Sequence, residues 1–164
     1  MMNMQASLLL LPQEQLTLAS AHEMAELQRY RRLTLGFLPT APQVSRLMAS
    51  LGLQCESRLA TLHQIASHLD LEACISTVPV NPPNFEVTRQ HFFVVDDGMA
   101  VQLLDQAILT AVESKRFFAW LLETNATPEL HRPFIDFVSE KEAECHVLLE
   151  FREHHSASLL LHHA

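Results

Sequence analysis

The sequence predicts an all-α protein made of four long helices, arranged as two hairpins with a long connection between them. Three observations carry this. Of 164 residues only 3 are Gly and 8 are Pro, too few for the turn every dozen residues that a sandwich or barrel needs. Hydrophobic types make up 48% and charged types 18%, with a mean hydropathy of +0.09, which excludes a disordered chain. Apolar residues recur at steps of three and four along four stretches, each bounded by Pro, Gly or capping residues.

The first helix is expected over about 12–37, from Pro12 to a stop at Gly36 and Pro39. Its stripe is Leu16, Ala19, Glu23, Leu27 and Tyr30. The second is expected over about 41–68, opening at Thr40 or Pro42, with an inward stripe of Ala49, Leu53, Glu56, Leu59, Ala60 and His63. Gly52 interrupts it and reads as a point of close helix approach. From 70 to 96 the pattern breaks. Pro79, Pro82 and Pro83 forbid a helix, and Phe92, Phe93, Val94 and Val95 read as extended, so this segment is a crossover. The third helix, about 97–125, begins at the N-cap residues Asp96 or Asp97 and carries Leu109, Glu113, Phe117, Trp120 and Leu121. The fourth, about 127–155, starts at Thr127 and Pro128, with Ile135, Val138, Glu142, Ala143, His146 and Leu149 on one side. Two short-linked helices, a long crossover and two more short-linked helices make the ferritin-like arrangement of a four-helix bundle, here one domain over 1–164.

Eleven basic residues against 19 acidic ones give a net charge of −8, and no Lys/Arg cluster tracks a phosphate backbone, so nucleic acid is not an expected partner. Cys55, Cys74 and Cys145 lie far apart without CxxC spacing, which points to free thiols in a reducing, cytoplasmic compartment. The apolar run Leu8–Leu11 has no basic residue before it and is followed at once by Pro12, Gln13 and Glu14. Neither a signal peptide nor a membrane span is expected from it.

Glu23, Glu56, Glu113 and His146 sit in the middle of stripes that otherwise call for burial. A buried carboxylate without a partner costs several kcal/mol or must hold a proton. A divalent cation neutralises such a group and takes its oxygens as ligands. Periodicity leaves a second reading open, in which the stripes are rotated and these groups reach solvent or pair with Arg29, Arg58 or Arg116.

The stretch Glu23-Met-Ala-Glu26-Leu-Gln-Arg29-Tyr30 resembles the first-helix motif of the rubrerythrin-like branch of the ferritin-like superfamily, where a ligand Glu precedes an aromatic residue by seven positions. Glu113-Ser-Lys-Arg-Phe-Phe-Ala-Trp120 repeats that spacing on the third helix. In that family the second and fourth helices each carry Glu-x-x-His. Here Glu56 matches but Leu59 stands in place of the His, and His146 matches but Ala143 stands in place of the Glu. The resemblance therefore implies a reduced metal set of Glu23, Glu56, Glu113 and His146, holding one iron or other divalent transition metal rather than two. His63 and Glu142, on roughly the same faces, are secondary candidates.

It further implies a non-haem iron protein with a redox or iron-handling role and an external electron donor, since no Cys pairs supply a rubredoxin-like centre. The alternative is a non-catalytic bundle that acts through association. Leu8–Leu11, Phe92–Val95 and Leu159–Leu161 lie outside the four stripes, and patches of that kind are commonly covered in a homodimer.

Overall fold

Pro at the first helical position starts three of the four α-helices among the described residues, where its missing N–H removes a donor that would have no partner anyway. The computed structural model describes residues 8–75 and 93–162, with side chains to residue 157. It contains α1 (Pro12–Phe37), α2 (Pro42–His68), α3 (Asp97–Glu123) and α4 (Pro128–His162), with a short 3-10 turn at Glu72–Cys74. The fourth helix continues past the expected end at His155. At α3 the Asp96 carboxylate accepts from the Met99 N–H at 2.7 Å, a side-chain N-cap. The C-terminus of α2 closes with Leu71 N–H donating to Ala66 O at 2.7 Å and Asp70 N–H to Ser67 O at 3.3 Å. This is a Schellman closure, and it places Asp70 at φ 57° where Gly is the usual residue.

α1 pairs with α2, and α3 with α4, as helical hairpins. Val94 N–H donates to Gly36 O at 2.9 Å, and the Thr40 hydroxyl donates to Val94 O at 3.1 Å. These bonds tie the start of α3 to the end of α1. Leu10 N–H donates to Thr124 O at 2.9 Å and ties the start of α1 to the end of α3. α1 and α3 are therefore antiparallel, α2 and α3 run the same way, and the end of α2 and the start of α3 are separated by the span of the bundle. For 27-residue helices that span is about 40 Å. Among the described residues no helix is long and apolar enough to cross a membrane.

Inward positions step by four and three. On α2 they are Val44, Met48, Leu51, Cys55, Arg58, Leu62 and Ala66. On α3 they are Ala100, Leu104, Ala107, Ala111, Ser114, Phe118 and Leu121. On α4 they are Leu130, Phe134, Phe137, Lys141, Glu144 and Leu148. Steps of four and three, averaging about 3.6 residues, match the helix's own period and keep each seam facing its neighbours along the bundle. The seams build two apolar cores. One, around Leu27, Phe37, Met48, Leu51, Leu104 and Leu148, fills the end where α2 and α3 begin. The other, around Leu16, Leu62, Phe118, Leu121, Phe134 and Phe137, fills the opposite end. Polar side chains occupy the level between them.

This geometry corrects three of the expected stripes. Leu53 and Glu56 on α2, Leu109 and Glu113 on α3, and Glu142, Ala143, His146 and Leu149 on α4 all face outward. The true seams lie one or two positions away, a rotation of roughly 100° or more. Gly52 does not mark a forced close approach, because a Cβ there would meet Leu27 Cδ1 and Tyr30 Cβ at 3.7 Å, an ordinary contact. Of the apolar runs outside the stripes, Leu10 and Val94 are buried while Leu8, Leu9, Leu11, Phe93 and Val95 are exposed. Phe92 and the side chains of Leu159–Leu161 lie outside the described residues.

Candidate functional site

The level between the two cores is an ionic layer drawn from three helices. Glu23, Glu26 and Tyr30 come from α1, Cys55 and Arg58 from α2, and Glu140, Lys141 and Glu144 from α4. Each α1 residue falls on the seam at a step of three or four from the last, and Cys55-x-x-Arg58 and Lys141-x-x-Glu144 each place two seam residues one turn apart. Glu23 is the hub. Its Oε2 accepts from Arg58 Nε at 3.0 Å, and its Oε1 lies 2.8 Å from Lys141 Nζ, an ion pair without hydrogen-bond alignment. The Arg58 guanidinium also donates to Glu140 Oε2 at 3.0 Å and to Cys55 Sγ at 3.4 Å, and lies 3.8 Å from Glu144 Oε2. Lys141 Nζ stands 3.8 Å from Glu144 Oε2, 3.9 Å from Glu26 Oε2 and 5.7 Å from the centre of the Phe118 ring. Tyr30 donates its hydroxyl to Glu144 Oε1, and Arg29 donates to Glu26 Oε2 at 2.8 Å.

Burial alone raises a carboxyl pKa, but Lys141 and Arg58 beside Glu23 outweigh burial and hold it below the usual carboxylate range. Glu26 goes the other way. Burial pushes it up to about 7, against the opposing pull of Arg29 and Lys141 and with help from Glu144 and Glu23. Burial, then Glu23, raises the Cys55 thiol to about 12, so it is not a nucleophile at neutral pH. Next to the layer, His22 shares a 2.7 Å hydrogen bond with Ser114 Oγ and stacks on Phe117 at 4.3 Å. Burial lowers its pKa to about 4, against the raising effect of Glu23, and leaves the ring neutral at pH 7.

The four residues expected to converge do not. Glu23 is fully buried, whereas Glu56, Glu113 and His146 lie on the outer surface. Glu56 pairs with Arg31 across the outside of α1 and α2 at 2.5 Å. The secondary candidates His63 and Glu142 are also outside, and Glu142 lies 3.4 Å from Lys115. Among the described residues no group of three His, Cys, Asp or Glu is disposed to hold a metal ion. The donor chemistry of the ionic layer agrees, since its carboxylates already have a guanidinium and an ammonium within 4 Å, where a further cation would be repelled.

Arg58 was the one partner of Glu23 that the sequence named as an alternative; Lys141, Glu144, Glu26 and His22 were missed. The signal that would have found them is the four-three spacing of α4, which continues through Lys141 and Glu144 only if charged residues are allowed on the seam. Compared with known proteins, this chain matches no family model, no curated protein and no solved structure.

Proposed function

We propose that this chain is a ferritin-like four-helix bundle that balances its interior carboxylates with its own side-chain cations, and that it works by association rather than by catalysis. The observation that carries this is the burial of Arg58 and Lys141, 1% and 0% exposed, against Glu23 and Glu144. In carboxylate-bridged bundles, single Glu residues on two helices and Glu-x-x-His on the other two project inward around metal. The inward pairs here are Cys55-x-x-Arg58 and Lys141-x-x-Glu144, and the inward single positions are Glu23 and Ser114. Two carboxylates thus stand in that pattern, no imidazole does, and two fixed positive charges take up the space between.

A layer of this kind specifies one register for the helices, since a slide of one turn would bury its charges among the apolar cores. The long connection with α2 and α3 parallel supports the same family reading, and the buried unpaired Cys55 and Cys145 support a reducing compartment. What remains for function is the outside, which carries Leu35, Leu53, Leu109 and Trp120 in the open.

The test is metal loading. The purified full chain is incubated anaerobically with Fe(II), Mn(II) or Zn(II), desalted, and assayed for metal per chain, with thermal melts alongside. The expected result is well under one ion per chain and an unchanged Tm. A stoichiometric ion that Glu23→Ala abolishes would overturn the proposal.

A further inference from the structure

We infer that the outer face of the α1–α2 hairpin docks a second copy of this chain, about a two-fold axis running along the helices. The inference rests on the association reading above and names its surface and partner. The face carries an open apolar groove of about 430 Å³ between the two helices, floored by Leu27, Met48 and Gly52 and flanked by Leu35 and Leu53. Those last two are 49% and 65% exposed. At its edge Arg31 on α1 and Glu56 on α2 face each other at one level.

Self-complementarity selects the partner. An isologous contact presents the same patch to itself. With the two-fold axis along the helices, α1 of one copy lies over α2 of the other, and levels are preserved. Arg31 then meets the second copy's Glu56, and Glu56 meets its Arg31, giving a square of alternating charge. One turn along, Leu35 lies over the second copy's Leu53 on either side. An axis across the helices would instead oppose Arg31 to Arg31.

The net charge of −8 does not oppose this contact, because it resides elsewhere. Residues 12–68 hold four acidic groups (Glu14, Glu23, Glu26, Glu56) and five basic ones (Arg29, Arg31, Arg32, Arg46, Arg58), a net of +1, which leaves −9 on the rest of the chain. Area is sufficient too. Two helices about 40 Å long and about 10 Å apart present a face on the order of 800 Å², what a standard interface takes from each partner.

Sedimentation equilibrium of the full chain across the micromolar range tests it, with circular dichroism to confirm helix content of each variant. The wild type is expected as a dimer. Leu53→Asp, which places a charge in the groove wall, should weaken dimerisation about a hundredfold. Arg31→Glu should weaken it about tenfold, and Arg31→Glu with Glu56→Arg should return it to within about threefold of wild type. Leu109→Asp, on the outside of α3, should leave the dimer intact.

A monomeric wild type overturns the inference, as does a dimer that survives Leu53→Asp or is broken by Leu109→Asp. Open-ended polymers would mean a head-to-tail contact with the acidic α3–α4 hairpin and overturn it as well. A wild type that takes up stoichiometric metal yet still dissociates on Leu53→Asp would break the association-only reading and leave this face standing.

Discussion

Replacing Lys141 with Met removes one charge from the ionic layer while keeping most of the side-chain volume. The ammonium lies 2.8 Å from Glu23 Oε1, with Glu144 at 3.8 Å and Glu26 at 3.9 Å, and is 0% exposed. At an effective dielectric of about 20, the Glu23 contact alone is worth about 6 kcal/mol of Coulomb attraction. Much of that offsets the desolvation of the two ions, several kcal/mol each. What Lys141→Met adds is an uncompensated buried carboxylate, typically about 3–5 kcal/mol. Glu23 keeps Arg58 at 3.0 Å, so the lower end, about 3 kcal/mol, is expected. Urea unfolding at pH 7 measures it, with Glu23→Gln and the double variant completing a cycle. The coupling should reach at least about 2 kcal/mol, because the second change removes the charge that the first one stranded. The pH profile should move too. Glu23's pKa is depressed, so its stabilising contribution is present above the unfolded value and fades as pH falls through the folded one. Without Lys141 the folded pKa rises towards the unfolded one, so the acid-side loss should be smaller and should end at higher pH. A single-variant cost under about 1 kcal/mol, with additivity to within about 0.5 kcal/mol, would refute the reasoning.

Glu26, pushed up to about 7, is protonated more readily in the folded than in the unfolded chain. Its contribution is full below the unfolded value near 4.5 and is lost as pH rises through about 7, up to about 3 kcal/mol in all. Glu26→Gln should therefore flatten the decline in urea stability between those limits, and an identical decline in both proteins would count against it. Gly52→Ala should stabilise by about 0.5–1 kcal/mol, since the helix gains a better former and the Cβ has 3.7 Å of room; a destabilised protein would show that the floor of the groove is tighter than its geometry. Asp70→Gly should raise Tm slightly, worth about 0.5–1 kcal/mol, by relieving the left-handed backbone at φ 57°, and a lowered Tm would mean that the aspartate side chain contributes more than its backbone conformation costs.

Helix number and position were legible in the sequence because their signals are local. Pro12, Pro42 and Pro128 each start a helix and Asp96 caps one, while the Pro-rich 79–83 run lies outside the described residues. Glu23 was legible as well, since Leu16, Ala19, Leu27 and Tyr30 fix the inward face of α1 by themselves. The rotation of the other three helices was not. Each carries a second apolar stripe, with Leu53 on α2, Leu109 and Trp120 on α3, and Ile135 and Leu149 on α4, and that stripe lies outside. The inner seam of α3 is built from Ala100, Ala107, Ala111 and Ser114, small residues that let helices approach but contribute little hydrophobic signal. On α2 and α4 the seam runs through Arg58, Lys141 and Glu144, which periodicity assigns to water. Only the packed bundle decides otherwise, because the groups that make those charges tolerable lie on other helices, Lys141 more than a hundred residues from Glu23. The sequence by itself put Glu23 on an apolar face and left its partner open between a metal ion, an arginine and solvent; the tertiary structure brings a side-chain ammonium and a guanidinium within 3 Å of it, from helices whose alignment no local pattern encodes.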